Sequence, residues 1–375
     1  MRSARLGSIA AFALGCAAAF VPSTAQAAAI TVSPGESIQD AVDAATPGST
    51  IIVLPGDYVE THGGFASVRI TKSLKLVAKS KLPDLKVRIL PGPGQTSGIL
   101  IEPENPGDPD VERVTVQGFT VEGYSRNGIW TRHANRFRII GNELINCDHV
   151  GIFPTLSANG LVKKNLAYGT LDAALWVEAA TNVRVIKNEF RTSPTGLEIS
   201  ISTNIKVKKN HVHHNTVGVG LYPANFASIA SPYTSEENGD WDITGNYIHD
   251  NNFPNPVTGG LVGALPAGIG VLHLGIDRVT YRKNQILNND FLGLGLLDYC
   301  FVIDGETFDC NNDPPIHNPA PDDNVLINNE ITGNGGNPPS GGIGFLAADV
   351  LSIGSTTNCR KNNSIGLLVG VLAPC

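Results

Sequence analysis

The chain has 375 residues, of which 41 are glycine and 16% are charged, and its formal net charge is −7. This composition is typical of a strand-and-turn protein, not of a helical or a disordered chain. The negative net charge excludes nucleic acid as a global partner.

Residues 1–27 are interpreted as a secretory signal peptide. Two arginines precede an apolar run from Ile9 to Val21, which is too short to span a bilayer, and Ala25-Gln26-Ala27 has the form of a cleavage site. Lipidation at Cys16 is the alternative, but we favour cleavage. The sequence therefore predicts a secreted or periplasmic protein without a membrane span, whose mature domain is residues 28–375.

Residues Ser33 to Ala45 are predicted to form a helix that caps the N-terminal end of the fold. Its apolar residues recur at helical spacing, namely Ile38, Ala41, Val42 and Ala45.

A repeat of 22 or 23 residues organises the middle of the chain. Five pairs of a small and an apolar residue mark it: Gly128-Ile129, Gly151-Ile152, Ala174-Leu175, Gly196-Leu197 and Gly218-Val219. Asparagines recur at the same spacing, at Asn142, Asn165, Asn188 and Asn210. A fixed period with alternating apolar residues indicates a solenoid of short strands, in which the asparagines stack at one corner. The predicted fold is all-β: a single-stranded right-handed parallel β-helix of about ten coils.

The opening of the mature chain resembles secreted β-helix repeat proteins of the pectin-lyase-like superfamily. The resemblance is carried by Ser37-Ile38-Gln39-Asp40-Ala41-Val42, Gly48-Ser49-Thr50-Ile51-Ile52-Val53 and Pro55-Gly56-Asp57-Tyr58. It implies this fold over nearly the whole mature chain, but the superfamily is functionally diverse.

A second resemblance covers residues 249–296. The segments His249-Asp250-Asn251-Asn252-Phe253, Leu265 to Leu272 and Asn288-Asn289-Asp290 resemble a narrower group of exported bacterial β-helix repeat proteins. That group has no settled biochemical role, so this resemblance implies no named reaction.

Four insertions interrupt the later repeats: Pro223 to Asp240, Asn251 to Pro266, Tyr299 to Asp322 and Gly335 to Gly341. Loops inserted at equivalent points of a solenoid emerge on the same flank, and such flanks often carry function.

In the strands that follow the five pairs of a small and an apolar residue, alternation predicts which side chains point outward. They form a candidate substrate-binding surface, with aromatic platforms for sugar rings and polar groups beside them: Trp130, Phe153, Trp176, Glu178, Glu198 and Tyr222. Alternatively, the segment between residues 91 and 110 folds over the aromatic stripe and makes it ordinary core.

The candidate catalytic residues are two pairs. Arg132 with His149 is one, and His213 with His249, expected to stack on neighbouring coils, is the other. Asp148-His149 resembles the Asp and His used by mannuronan epimerases of this fold, although the rest of that motif is missing. The histidine spacing matches no standard zinc motif, so no metal site is predicted, and polar corner residues satisfied by neighbours are the favoured alternative.

Cysteine placement predicts two disulfides, Cys300–Cys310 in an inserted loop and Cys359–Cys375 at the C-terminal end, and leaves Cys147 as a buried thiol. No coil-stacked acidic cluster suggests a calcium site, so no cofactor is predicted, although calcium stays open.

Polygalacturonase-like members of the superfamily use Asn-Thr-Asp, Asp-Asp and Gly-His-Gly motifs. Here Asp322-Asp323 lies in a Pro-rich insertion and the other two motifs do not occur, which argues against hydrolysis of that type.

Two functions remain open. The first is a carbohydrate-active or carbohydrate-binding protein for an extended, acidic polysaccharide, with lyase or epimerase chemistry if it is an enzyme. The second is a non-catalytic periplasmic or surface scaffold that binds a protein partner. A monomer is expected in either case.

Overall fold

The computed structural model describes residues 29–79, 85–223, 239–302, 318–340 and 342–375. The predicted signal peptide, with the alternative lipidation site, lies outside these residues. So do Cys310 and most of the insertions at residues 223–240 and 299–322.

Three long parallel sheets form the described part of the protein, and the chain visits them in turn. Sheet A has thirteen strands: Ala29–Val32, Thr50–Val53, Lys75–Ala78, Thr115–Gln117, Arg138–Ile140, Leu161–Lys163, Arg184–Ile186, Lys206–Lys208, Asp242–Thr244, Thr280–Arg282, Val325–Ile327, Cys359–Lys361 and Ala373–Pro374. Sheet B has eleven: Gly56–Val59, Val87–Leu90, Thr120–Glu122, Glu143–Ile145, Leu166–Tyr168, Glu189–Arg191, His211–His213, Tyr247–His249, Gln285–Leu287, Glu330–Thr332 and Ser364–Ile365. Sheet C also has eleven: Ala66–Ile70, Ser97–Ile101, Ile129–Arg132, Val150–Thr155, Ala173–Glu178, Thr195–Ser200, Val217–Tyr222, Ile269–Leu274, Leu292–Leu297, Ala348–Ile353 and Leu368–Gly370.

The remaining elements are short. Val111–Glu112 pairs with Ala134–Asn135, and the helical segments are Ile38–Ala44, Gly260–Gly263, Tyr299–Val302 and the 3-10 turn Gly344–Leu346.

Eleven complete coils among the described residues each contribute one strand to each sheet, and sheet A has one further strand at either end; about ten coils were predicted. The register matches the repeat, because Ile152 pairs with Ile129 and Leu175, and Leu197 pairs with Leu175 and Val219. These side chains are almost fully buried and form part of one continuous core along the solenoid. The sequence prediction of a parallel β-helix is confirmed.

The predicted asparagine ladder is present and longer than predicted. It comprises eight residues between sheets A and B: Asn142, Asn165, Asn188, Asn210, Asn246, Asn284, Asn329 and Asn363. In each step, Nδ2 of one asparagine donates to Oδ1 of the next over 2.9–3.1 Å. A second ladder of Asn215, Asn251, Asn289 and Asn334 lies before sheet C. Stacked amides thus satisfy polar groups that the corners would otherwise bury unpaired.

The small residues of the repeat allow neighbouring coils to approach closely. A Cβ atom added to Gly218 would lie 2.6 Å from the carbonyl oxygen of Gly270 and 2.8 Å from Nδ2 of Asn251. At Gly128 and Gly151 the equivalent carbonyl distances are 2.6 and 2.5 Å. Steric exclusion by the next coil therefore explains why this position is glycine in most coils.

The N-terminal helix covers the first coils, as predicted, but it begins at Ile38, because Ser33 to Glu36 form a turn. Ser37 is the N-cap, and its Oγ accepts a hydrogen bond from the backbone N–H of Asp40. The buried carboxylate of Glu60 accepts from the N–H of Ile38 at 2.7 Å and from Oγ of Ser37 at 2.6 Å. The apolar side chains Ile38 and Val42 pack into the core.

The Cys359–Cys375 disulfide is present and ties the last strand of sheet A to its neighbour. Cys300 is disulfide-bonded, while its predicted partner Cys310 lies outside the described residues. Cys147 is buried and free, and burial raises the pKa of its thiol to about 12. This agrees with a buried thiol and not with a nucleophile.

Candidate functional site

A polar cluster lies where three successive coils enter the outer face of sheet C. Nδ1 of His149 donates to Oδ1 of Asn127 at 2.9 Å, and Nε2 of His149 faces Oδ2 of Asp172 at 3.2 Å. With Nδ1 protonated, the second contact is attractive only if a proton lies between the imidazole and the carboxyl group. One proton taken up between Nε2 and Oδ2 would therefore turn this contact into a hydrogen bond. The His149 side chain is 35% exposed.

Aromatic rings surround this cluster. Trp130 stacks on Phe153 with a centroid distance of 6.0 Å, and Phe153 stacks on Trp176 at 4.9 Å. The ring of His149 packs edge-on against Phe153 and Trp176, at 5.8 and 6.1 Å. The stripe predicted from strand alternation thus exists, and its members contact one another.

The exposure predicted for this stripe is wrong for two of its three members. Phe153 is 6% exposed and Trp176 is 8% exposed, while Trp130 is half-buried. The rings cover each other's faces and pack with Val150 and Ala173 into a small apolar cluster separate from the main core. Nε1 of Trp176 also donates to Oγ of Ser200 at 2.7 Å, which fixes the ring.

Two buried carboxyl groups lie near Trp176, that of Glu178 on the same strand and that of Glu198 on the next coil. Burial, and then the neighbouring Asp172, raises the pKa of Glu178 to about 7. Burial also raises the pKa of Glu198 well above its ordinary value, with Asp172 and Glu178 adding to the effect. Among the described residues, no group donates a hydrogen bond to either carboxyl oxygen of Glu178. Burial thus favours the neutral form of the Glu198 carboxyl, which can donate a hydrogen bond.

A cavity of about 530 Å³ opens beside these carboxyl groups. Its polar end consists of Asp172, Thr195, Glu198 and Tyr222, with Trp176 at the border. The rest is apolar and comes from the outer face of sheet C and from the segments Val262 to Pro266, Phe301–Val302 and Ile343 to Leu346. Two of the four predicted insertions, 251–266 and 299–322, therefore contribute to one flank, as expected.

Tyr222 is almost fully buried at this polar end and is in hydrogen-bonding contact with Thr195. Burial is the main cause that raises the pKa of its phenol, and the nearby Glu198 and Asp172 raise it further. The phenol therefore stays protonated and is a potential proton donor to a bound molecule.

The predicted pair of Arg132 and His149 is not brought together. Arg132 is exposed and lies opposite Thr155 at the far end of the strand, whereas His149 precedes its first residue. Six residues of strand separate the two levels, or about 20 Å. No hydrogen bond or ion pair links Arg132 to His149 within the described residues.

The second predicted pair is brought together, but on a different face. His213 and His249 stack on neighbouring coils of sheet B with a centroid distance of 5.3 Å, and His211 joins them. Burial is the first cause that lowers the pKa of His211, and it lowers that of His213 to about 4. Both imidazoles are therefore neutral at pH 7. Since sheets B and C are different faces of the solenoid, this cluster is separate from the His149 site.

Two members of the His149 site, Asn127 and Asp172, are absent from the sequence-based set of candidates. The coil period would have revealed them, because Asp172 follows His149 by 23 residues and Asn127 precedes it by 22. Side chains separated by one coil step stack on each other in a solenoid.

Comparisons with known proteins agree with this architecture. A family model described as right handed beta helix region matches residues 94–231. The A-module of mannuronan C-5 epimerase AlgE4 from Azotobacter vinelandii has a TM-score of 0.56 at 14% identity, over 90% of this chain and 91% of that chain. PfbA, a surface adhesin of Streptococcus pneumoniae, has a TM-score of 0.57 at 13% identity, over 89% and 83%. DFA-IIIase from Arthrobacter chlorophenolicus has a TM-score of 0.50 at 14% identity, over 88% and 89%.

The chain is therefore a right-handed parallel β-helix protein. These solved structures share that fold with the chain. No curated protein sequence matches the chain. At sequence identities of 13–14%, these similarities show a shared fold but do not indicate a shared reaction. The helices of the described residues are all too short or too polar to cross a membrane.

Proposed function

We propose that the protein is an exported carbohydrate-active protein that acts on an extended, acidic polysaccharide at the outer face of sheet C. The observation that carries this proposal is the contact of 3.2 Å between His149 and Asp172, because the pair can take up one proton beside Trp176, and Asp172 lines the cavity. The Cys359–Cys375 disulfide fits an exported protein. Two structurally similar proteins act on carbohydrates by their names, an epimerase of mannuronan and a DFA-IIIase, and they support the substrate class.

Binding would use the aromatic border and the polar end of the cavity. Trp176 offers a small apolar contact at the cavity border, and Glu198, Thr195 and Tyr222 offer groups for the hydroxyls of a sugar. The neutral carboxyl of Glu198 would also accommodate a uronate, since a carboxylic acid donates a hydrogen bond to a carboxylate without repelling it.

Lyase and epimerase reactions share a first step, removal of the proton beside the uronate carboxylate. That step needs a group that stabilises the negative charge on the substrate carboxylate and a base for the proton. We assign the first role to the acidic proton of Glu198. We assign the second role to the His149–Asp172 pair, which takes up the substrate proton between Nε2 of His149 and Oδ2 of Asp172 while Asn127 holds Nδ1 of the ring. Asp172 lines the cavity. Tyr222 would donate a proton to the departing oxygen or to the opposite face of the sugar.

The test is incubation of the purified mature protein with alginate, pectate, hyaluronan and neutral glycans. Ultraviolet absorbance reports unsaturated uronate ends, proton NMR reports epimerised residues, and a reducing-end assay reports hydrolysis. We expect absorbance or NMR changes with one uronate polymer, and their loss in His149→Asn. His133→Asn is the matched control, because His133 is an exposed histidine that lies 3.8 Å from Asp110 and is remote from the cavity.

Product formation by wild type and by His149→Asn at the same rate would contradict the assigned base. New reducing ends without unsaturation would replace lyase chemistry by hydrolysis. No reaction and no binding with any glycan in the panel would contradict the proposed substrate class.

A second candidate function is docking of a protein partner, and one observation favours it. Four exposed apolar side chains cluster around the cavity mouth, and the most exposed of them, Phe345, is 80% accessible; the others are Phe301, Val302 and Ile343. Exposed apolar patches of this kind often mark interaction sites. PfbA, which has a similar fold, is named as a surface adhesin. Phe345→Ser should abolish such docking and leave glycan turnover intact.

A further inference from the structure

Three histidines converge on the outer face of sheet B, in coils where the sequence predicts no metal site. His211 and His213 alternate on one strand and so point to the same side, and His249 pairs with His213 on the next coil. One ring nitrogen from each histidine lies within 4.8 Å of the other two. Nε2 of His211 and Nε2 of His249 are only 2.8 Å apart.

The surroundings orient the His249 ring as they do around a metal ligand. Oδ2 of Asp250 lies 2.5 Å from Nδ1 of His249, which leaves Nε2 of that ring to face the cluster. His213 has a neighbour at both nitrogens, with Oε1 of Glu189 at 3.4 Å from Nε2 and Nδ1 of His214 at 2.7 Å from Nδ1, so a metal ion would replace one of these contacts. A carboxylate on the second nitrogen of a histidine fixes its tautomer and increases its basicity as a ligand.

We infer that His211, His213 and His249 form a binding site for a divalent transition-metal ion that prefers imidazole ligands. Tetrahedral zinc has Zn–N distances of about 2.0–2.1 Å, which separates the ligand nitrogens by about 3.3 Å. The closest pair would therefore open by about half an ångström, and any nitrogen at the 4.8 Å limit would approach by about 1.5 Å. Rotation about the side-chain torsions supplies movements of this size, since neither His211 nor His213 is fully enclosed, although the side chain of His213 is only 13% exposed.

This arrangement also explains why the sequence gives no sign of the site. A local zinc motif holds its ligands on one turn or one helix, whereas here 36 residues separate His213 from His249. The stacking of coils, and not the local chain, brings the third ligand to the first two. The site lies on a different sheet from His149 and does not depend on the proposed reaction.

The test uses the mature protein without a histidine tag, because the chain has only nine histidines of its own. After treatment with chelator and its removal, titration calorimetry with Zn²⁺ should show one bound ion per chain. His213→Gln and His249→Gln should each weaken that affinity by more than the roughly 10- to 100-fold that loss of an outer-shell partner costs. Asp250→Asn, which changes an outer-shell partner, should weaken the Zn²⁺ affinity by an amount within that roughly 10- to 100-fold range. His133→Asn should bind as wild type does.

Because removing a stacked ring can itself lower stability, the wild-type chain provides an independent measurement. Zn²⁺ should raise its melting temperature, and excess chelator should reverse the rise. Nitrogen-15 NMR of labelled histidines should show shifts of three imidazoles and not of His133. Absence of Zn²⁺ binding to the wild type, or a binding isotherm unchanged in the His213→Gln/His249→Gln double variant, would overturn the proposal.

Discussion

Asn188 donates to Oδ1 of Asn210 twice, from its side-chain Nδ2 at 3.0 Å and from its backbone N–H at 2.9 Å. Its own Oδ1 accepts the same two bonds from Asn165, at 3.0 and 2.9 Å. Each asparagine therefore bonds to the corner of the coil after it through its donors and to the corner of the coil before it through its Oδ1.

Asn188→Ala should reduce the free energy of unfolding by about 3 kcal/mol, because it leaves two buried donors of Asn165 without an acceptor. The midpoint of urea unfolding measures the loss. Asn204→Gly is the control: this asparagine is exposed and has φ of 53°, which glycine tolerates, so we expect a much smaller change. Equal losses in both variants would mean that the buried ladder contributes no special stability.

Gly218→Ala should destabilise the protein by about 1–3 kcal/mol, because the added methyl group would press on the carbonyl of Gly270 and on the amide of Asn251. Gly63→Ala adds the same methyl group where no atom lies within 4 Å, and its melting temperature should match that of wild type. A wild-type melting temperature for Gly218→Ala would show that adjacent coils can separate at little cost.

Glu178 should make the protein less stable as the pH rises. Burial, and then Asp172, raises its pKa to about 7 from the ordinary 4.5, so between these values the folded state keeps a proton that the unfolded state has released. Stability from this group is complete below pH 4.5 and is lost as the pH rises through 7, by about 3 kcal/mol in total.

Unfolding midpoints of wild type and Glu178→Gln, measured from pH 4 to pH 8, test this. The variant should lose less stability over that range than wild type does. Glu330→Gln, which changes an exposed glutamate, should follow the wild-type curve. If the curves of wild type and Glu178→Gln stay parallel, the carboxyl of Glu178 does not hold its proton above the ordinary pKa.

Glu198 is expected to act in the proposed reaction as a neutral hydrogen-bond donor to the substrate carboxylate. Glu198→Gln keeps an N–H donor of similar size, so its kcat/KM on the polymer found in the glycan panel should fall by no more than about tenfold. The kcat/KM of Glu198→Ala, which has no donor, should fall by about 100-fold or more. If glutamine is as damaging as alanine, the residue acts as an ionised carboxylate or as a proton-transfer group, and the role assigned to it is wrong.

The repeat of small and apolar residues was sufficient to predict the coils, their register and the asparagine corners, because each of these is a property of one period. Exposure was not predictable in the same way. Alternation correctly assigns Phe153 and Trp176 to the outer side of sheet C, but it does not indicate what covers that side. The two rings and Trp130 bury one another, so an outward direction did not mean contact with solvent.

Pairing of site residues was predicted well only where coil spacing was applied. His213 and His249 were expected to stack, and they do. Arg132 and His149 were paired only because their side chains suit the reaction, and they lie far apart along the strand direction. The side chain that contacts His149 is Asp172, one coil further along. The apolar cavity also depends on inserted segments whose path no periodicity describes.

The proposed active groups are distributed one per coil, from Asn127 through His149, Asp172 and Glu198 to Tyr222. Along the solenoid axis their backbones are thus separated by steps of about 4.8 Å, the distance between neighbouring parallel strands. Duplication or loss of a whole coil would lengthen or shorten this row by one step and leave the asparagine corners intact. Such a change would alter the length of polymer that the row can contact without requiring a new fold.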